Sequence, residues 1–330
     1  MTREQTLIPA LTLASLLAVV AACLLGATHI PVERLFATLF GQGSTADTLI
    51  IWQIRLPRAL AAFVTGLALG ASGAALQGLL RNPLAEPGIL GVSASAALMA
   101  TLAIFYGATT LSPWVLPISA IIGALIATAI IAIAAVRTQS VVTLILIGVG
   151  LSSFAAALMS LLLNFAPNPF TLSDMINWTL GTVANRSFED LALAAPFLLA
   201  GLAILFTSRR GLSALTLGET AASGIGLNLQ RQRILTVLGA GLATGAAVSI
   251  AGAIGFVGIV APHLVRPFVH HDPARTLIPS ALLGGLLLVM ADIAVRLLPT
   301  TTELKLGVVA ALIGAPAFIW IAARRRLGDD

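Results

Sequence analysis

Long apolar runs, each close to the length needed to cross a bilayer and parted by short polar punctuation, fill this chain. A spanning helix takes about 20 mostly apolar residues, because lipid offers a hydrocarbon layer roughly 30 Å thick and a helix rises about 1.5 Å per residue. Ten runs stand out, at roughly 7–28, 58–80, 89–107, 114–136, 141–164, 190–208, 233–254, 257–269, 275–298 and 306–323. The eighth is too short to cross unaided. Lipid cannot satisfy backbone N–H and C=O groups, so spanning segments are helices or closed barrels. A barrel needs alternating segments of about 10 residues, and these runs do not alternate. The expected fold is therefore all-α: a polytopic transmembrane bundle of about ten helices in a single domain over 1–330. Composition agrees, since only 9% of the residues are charged, against about 25% in soluble domains.

The net charge of +5 is better explained by orientation than by nucleic acid. With a cytoplasmic N-terminus, the inner segments hold Arg3, Arg81, Arg137, Arg209, Arg210, Arg231, Arg233, Arg266, Arg275 and Arg324 to Arg326. The outer ones hold Arg34, Arg55, Arg58, Arg186, Arg296 and Lys305. Twelve against six follows the positive-inside rule, with Arg324 to Arg326 as a C-terminal anchor at anionic headgroups. The lone cysteine, Cys23, excludes an internal disulfide. Val20-Ala21-Ala22-Cys23 resembles a lipoprotein processing site, but the segment before it is a poor signal-peptide start, and the first span is expected to be retained.

The longest segments between spans are about 29–57, 165–189 and 209–232. Pro31, Gly41 and Gly43 mark the first as an outer loop. In the second, Pro167 and Pro169 break the helix, and Thr171 to Val183 is expected to form a short helix capped by Ser173. An internal repeat is also visible. Arg58–Ala71 aligned with Arg233–Ala246 gives seven identities in fourteen, among them Gly66/Gly241 and Gly70/Gly245, and Pro87 pairs with Pro262 at the same offset. The two segments lie five spans apart, an odd number, so they are expected to cross in opposite directions, as inverted transporter repeats do.

The middles of the spans hold few ionisable residues, Asp292 and Arg296 being the main exceptions. Ion-coupled carriers and channels need groups at membrane depth that bind the ion, and a membrane-embedded enzyme needs a cluster of His, Asp, Glu or Cys at one depth. Neither set is evident. The chain also lacks a Gly-x-x-x-x-Gly-Lys-Ser/Thr phosphate loop, so active transport would draw its energy from another chain. Leu212 to Asn228, after Arg209-Arg210-Gly211, suits two very short helices, Ser213–Leu217 and Glu219–Ser223. Their apolar character fits a knob for a groove on a soluble partner and equally a loop lying on lipid. His270-His271 reads as a solvated loop pair, His263 as structural and His29 as a boundary residue. No pair has metal-ligand spacing, and no metal is expected.

Several stretches together carry a resemblance. They are Arg55-Leu56-Pro57-Arg58, Gly66 to Gly73, Gln77 to Gly88 (QGLLRNPLAEPG), Trp178-Thr179-Leu180-Gly181, Leu217-Gly218-Glu219-Thr220-Ala221-Ala222, Gly255 to Arg266 (GFVGIVAPHLVR) and Gly307 to Pro316. In this order, over essentially the whole chain, the sequence resembles the FecCD-type permeases, the iron-siderophore, haem and vitamin B12 family of ATP-binding-cassette importers. The resemblance implies a homodimer in the bacterial inner membrane, two cytoplasmic ATP-binding subunits and a periplasmic substrate-binding protein. It implies no cofactor in this chain, ATP and Mg residing on the partners. Coupling to the ATPase would fall on Ser213, Leu217, Gly218, Glu219, Ala221, Ala222 and Gly224. Binding-protein docking would fall on Arg55, Arg58 and Arg296, which without the resemblance read first as headgroup anchors at helix ends. A cytoplasmic gate would fall on Asn82, Leu84, Val141 and Val142, although Asn82-Pro83 alone reads as an ordinary turn. Lys305 stands where the family often has Pro. No residue singles out haem, ferric siderophore or cobalamin as cargo.

Overall fold

The computed structural model describes residues 3–26, 28, 30–138, 140–298 and 303–326, with side chains described except at 3–5 and 317–326. His29 and the side chains of the Arg324–Arg326 anchor lie outside the described residues. Every regular element within them is helical. In chain order these are α1 (Arg3–Leu24), α2 (Val32–Leu39), α3 (Thr45–Thr48), α4 (Leu56–Leu80), α5 (Val92–Phe105), α6 (Val115–Arg137) and α7 (Val141–Asn164). They continue as α8 (Pro169–Thr179), α9 (Phe188–Ala214), α10 (Glu219–Gly224), α11 (Leu229–Ala251), α12 (Val257–Val265), α13 (Pro273–Leu297) and α14 (Leu306–Arg326).

The ten expected spans correspond to α1, α4, α5, α6, α7, α9, α11, α12, α13 and α14. Among the described residues, seven of these are long and apolar enough to cross a bilayer alone, while α5, α12 and the fully described part of α14, Leu306–Pro316, are shorter. α4 and α11 form the centre: 78% of each apolar window is buried, against 22% for α1 and 17% for α7, which lie at the periphery of the single chain. Small residues let the central helices approach closely. A Cβ on Gly66 would lie 2.1 Å from the Gly284 carbonyl oxygen of α13, and one on Gly241 would lie 2.1 Å from Thr128 Oγ1 of α6. Removing the side chain lets backbones meet where no hydrophobic effect drives helices together.

The contacts fix the direction of each helix. On α4 and α13, Arg58 meets Asp292, Gly66 meets Gly284 and Gly78 meets Pro273, so the two are antiparallel. On α11 and α6, Gly241 meets Thr128 and Gly245 meets Ala124, while Gln230 meets Val136. This pair is antiparallel too. α9 runs alongside α4, with Leu212 near Gly78, and against α11, with Gly211 beside Gln232 and Gly201 beside Ala243. α4 and α11 therefore run in opposite directions, and the glycines aligned in the repeat make equivalent close approaches in the two halves.

The two short helices are short because their preceding loops turn back into the bundle. After α4 ends with Arg81 in a left-handed conformation, the chain returns along the helix. Glu86 and Pro87 reach Gly258, which lies beside Leu69 and Gly73, and Gly88 accepts a hydrogen bond from Ser152 in the middle of α7. From the other end, the residues after α11 return to start α12 at the same depth. Phe256 N–H donates to the Glu86 carboxylate at 3.2 Å. Two re-entrant segments thus meet at mid-bundle, packed against the central helices and lining a small cavity of about 160 Å³, and irregular backbone is tolerated at such depth where it is buried in protein or lines a cavity.

Two expectations change. Segment 29–57 is largely helical: besides α2 and α3, Leu49–Arg55 makes a π-helical stretch that runs into α4. The short helix expected at Thr171–Val183 is α8, which starts at Pro169. Its cap is Asn168, whose side chain accepts from Thr171 N–H, and not Ser173. Proline at the first helical position lacks an N–H that would have no partner there.

Candidate functional site

At one end of the bundle, the sequence-predicted docking residues Arg55, Arg58 and Arg296 converge with two acids. Asp292, on the last turns of α13, is 1% exposed. Arg58 donates through Nε and Nη2 to its Oδ1 at 2.9 and 2.7 Å, and also bonds Glu303. Arg296 Nε lies 3.1 Å from Asp292 Oδ2, one helical turn away. The other faces of these cations close α1. Arg55 Nη1 donates to the Cys23 and Leu24 carbonyls at 2.9 and 3.0 Å and Nη2 to that of Thr28, while Arg296 Nη1 donates to Ala22 and Leu25. The last carbonyls of a helix lack intrahelical donors and carry its negative pole, so arginines are favoured partners. All three guanidiniums are therefore engaged within the chain. Arg55 and Arg296 cap α1, and Arg58 reaches the surface beside Glu303, whose side chain is 41% exposed.

This arrangement sets a graded expectation for stability. Asp292→Asn removes the buried charge that two half-buried arginines share and is expected to cost about 1.5–3 kcal/mol, the scale of hydrogen bonds to charged groups. Glu303→Gln, at the exposed edge, is expected to cost under about 1 kcal/mol. Melting of the purified protein in detergent reads both, and equal losses would contradict the burial difference.

At the opposite end, the predicted coupling segment projects from the bundle. α9 ends at Ala214, Leu215–Leu217 forms a 3-10 turn, Gly218 turns the chain at φ 94°, and α10 follows. That φ belongs to the left-handed side, which only glycine takes without strain. Ser213 bonds the Asp272 carboxylate and accepts from Ala274 N–H at 3.2 Å, tying the base of the segment to the start of α13. Ala222 is fully buried and seats α10 on the bundle. Leu217 and Ile225 are 64% and 67% exposed, and Ala221 and Gly224 also face outward. Glu219 receives a 2.7 Å bond from Arg233 Nη2 of α11.

Of the predicted gate residues, Asn82 forms a local turn, its Oδ1 accepting from Leu84 N–H at 2.9 Å, and Leu84 is 42% exposed. Val141 and Val142 open α7 after the Ser140 cap. A cleft lined by Leu80, Arg81, Ser140, Val141, Val142 and Glu219 brings the start of α7, the end of α4 and the coupling segment together. Arg233, 4% exposed, joins the same region, with Nη1 at 3.5 Å from the Thr138 carbonyl.

Sequence reading missed the roles of four residues. Glu303 and Asp292 as partners of Arg58 lie 245 and 234 positions away, where no spacing rule reaches. Arg233 was visible only as a match in the repeat. Glu86 falls between two expected spans, and its place at mid-bundle follows from the return path of the chain after α4. His270 and His271 sit in a turn with φ values of 54° and 59°. Among the described residues no group of three or more His, Cys, Asp or Glu is placed to hold a metal.

The chain is similar to known proteins over almost its whole length. The FecCD transport family profile matches residues 13–324. A permease named vitamin B12 import system permease protein BtuC, from Salmonella typhi, is 41% identical over 279 residues, covering 84% of this chain and 85% of its own. An uncharacterised ABC transporter permease protein of Bacillus subtilis, YvrB, is 36% identical over 316 residues, covering 92% and 89%. A solved structure described as an inward-facing conformation of a metal-chelate type ABC transporter superposes with a TM-score of 0.84 at 30% identity, covering 97% of this chain and 99% of that one. Matched to this extent by the family profile and by these relatives, the chain belongs to the FecCD transport family and is a multi-pass permease of the ABC-transporter class.

Proposed function

We propose that this chain works as a homodimeric, single-domain permease that passes a metal chelate or corrin inward, powered by two ATP-hydrolysing subunits held at its Glu219 end. The cargo class rests on the vitamin B12 permeases and the metal-chelate transporter it is similar to. The observation that carries the mechanism is the projecting segment around α10. Exposed Leu217 and Ile225 at the tip of a polar-ended membrane bundle fit a groove on a soluble partner. The end that bears them also carries Arg81, Arg137, Arg209, Arg210, Arg231, Arg266 and Arg275, and the positive-inside rule makes it cytoplasmic, with both chain termini on that side. The coupling residues are Ser213, Leu217, Gly218, Glu219, Ala221, Ala222 and Gly224.

Motion then has a short path. Arg233 is bonded at once to Glu219 of the coupling segment and to the Thr138 carbonyl just before α7. Displacing α10 moves the start of α7, where Val141 and Val142 face the cleft, with Asn82 and Leu84 following Arg81 on the same end. These four are the proposed gate. At the other end, the platform around Arg58 is the proposed seat of a binding protein, with Arg55 and Arg296 fixing its shape through α1.

Reconstitution with an ATPase subunit and a chelate-loaded binding protein tests the reading. ATP hydrolysis is expected to rise on adding the loaded binding protein and cargo to enter vesicles. Cargo uptake on an ion gradient without ATP would overturn it. Within the assembled complex, Arg233→Gln is expected to keep subunit binding but lower cargo moved per ATP several-fold, since the neutral amide loses the part-buried charge-assisted bond to Glu219. Unchanged stoichiometry would remove Arg233 from the path.

A further inference from the structure

We propose that the cleft between α1, α9 and α13 at the Glu219 end binds the phosphate headgroup of an anionic phospholipid. The cavity is about 490 Å³. Its described lining contains Arg209 and Arg210 from the last turns of α9 and Arg275 from the first turn of α13. Ile8, Ile278 and Pro279 complete it about one turn deeper along α1 and α13. Cationic groups thus stand at the level where headgroups lie, and apolar groups begin where acyl chains begin. A free anion would need only the first of these features. A phosphate carrying hydrocarbon uses both.

The charges are available in a specific way. Asp272, the acid among the described lining residues, is engaged on both oxygens, by Ser213 and Ala274 N–H on one and by Arg275 at 3.3 Å on the other. The first N–H of α13 is therefore already capped, and attraction for an anion falls to the arginines rather than to that helix end. The Arg209 guanidinium lies over the Phe206 ring, 3.9 Å from its centroid. Stacking uses the face of the guanidinium and leaves its in-plane N–H donors free to point outward. Arg210, next in sequence, is exposed. Two adjacent arginines with one orientation fixed by an aromatic ring suit a phosphodiester, which accepts several charge-assisted bonds at once. Basic clefts between membrane helices on the cytoplasmic side are where anionic lipids are recognised. The site depends on membrane insertion and not on the importer reading.

The test uses the full purified chain in a neutral detergent, titrated with dioctanoyl phosphatidylglycerol, dioctanoyl phosphatidylcholine or inorganic phosphate and read by thermal shift and native mass spectrometry. Phosphatidylglycerol is expected to bind and raise the melting temperature, with phosphatidylcholine and inorganic phosphate giving little. Arg209→Gln with Arg210→Gln is expected to weaken binding about tenfold or more, at roughly 1 kcal/mol for each cation. Arg210→Gln alone tests the site should the double variant fold poorly, and Arg231→Gln, outside the cleft, is expected to bind as the parent does. Equal binding by phosphatidylcholine would mark unspecific lipid, and an equal shift with inorganic phosphate would mark a free-anion site. Unchanged affinity in the Arg210→Gln variant would place the lipid elsewhere. Each of these three results overturns the proposal.

Discussion

Gly73→Val is expected to leave little or no folded protein. A Cβ at this position would lie 2.0 Å from the carbonyl oxygen of Gly258 and 2.6 Å from its carbon, both backbone atoms of α12. A flexible side chain yields to such a contact, but backbone moves only by shifting its whole segment. Here that segment is the start of α12, which Glu86 holds from one side and Gln77 from the other, its Nε2 donating to the same Gly258 carbonyl at 3.1 Å. Overpacking usually costs about 1–3 kcal/mol where neighbours can relax. With backbone on both sides the cost is expected to exceed about 4 kcal/mol. Expression followed by gel filtration in detergent reads this directly. Gly150→Ala on α7, where a Cβ meets nothing within 4 Å, is expected to express and elute as the parent does. A monodisperse Gly73→Val protein with parental melting temperature would mean that α4 and α12 are not packed as described.

Leu217→Asp combined with Ile225→Asp is expected to abolish ATP-driven transport while leaving the membrane bundle folded. Both side chains are about two-thirds exposed and contribute little to the chain's own core. Burying each in a partner's groove is worth about 1.5–3 kcal/mol, and a carboxylate in its place adds a desolvation cost. Loss of both contacts at one coupling segment weakens capture of the ATPase by about a hundredfold or more. The measurement is co-purification of the ATPase subunit together with the melting temperature of the permease alone. Loss of the first without change in the second is the expected pair. Full retention of the ATPase would show that the projecting segment is not its seat.

The membrane helices were legible in the sequence because lipid leaves so few alternatives. An apolar run of the right length has to be a helix, and α7 begins and ends where its run does. Gly66 and Gly70 were legible as positions matched in the repeat, although not for the backbone of α13 that they approach. The outer segment was less legible. α2 and α3 are short, and Pro31, Gly41 and Gly43 obscured them, even though Ser44 and Asp47 form a capping pair that would have marked α3. The roles of charged residues were the least legible. Arg55, Arg58 and Arg296 looked alike as outward cations, yet the fold gives two of them the end of α1 and the third a carboxylate more than two hundred positions away. Glu86 looked like a loop acid because a sequence cannot show that a chain turns back into the bilayer.

The crossing of the two re-entrant segments bears on how such a bundle changes shape. Each strand of irregular backbone hangs from an opposite face, and a single carboxylate–amide bond joins them at the midplane. The same two segments pack Pro87 and Glu86 against Gly258, so a shift of either one is transmitted to the other through close packing on backbone rather than through the far end of a flexible side chain alone.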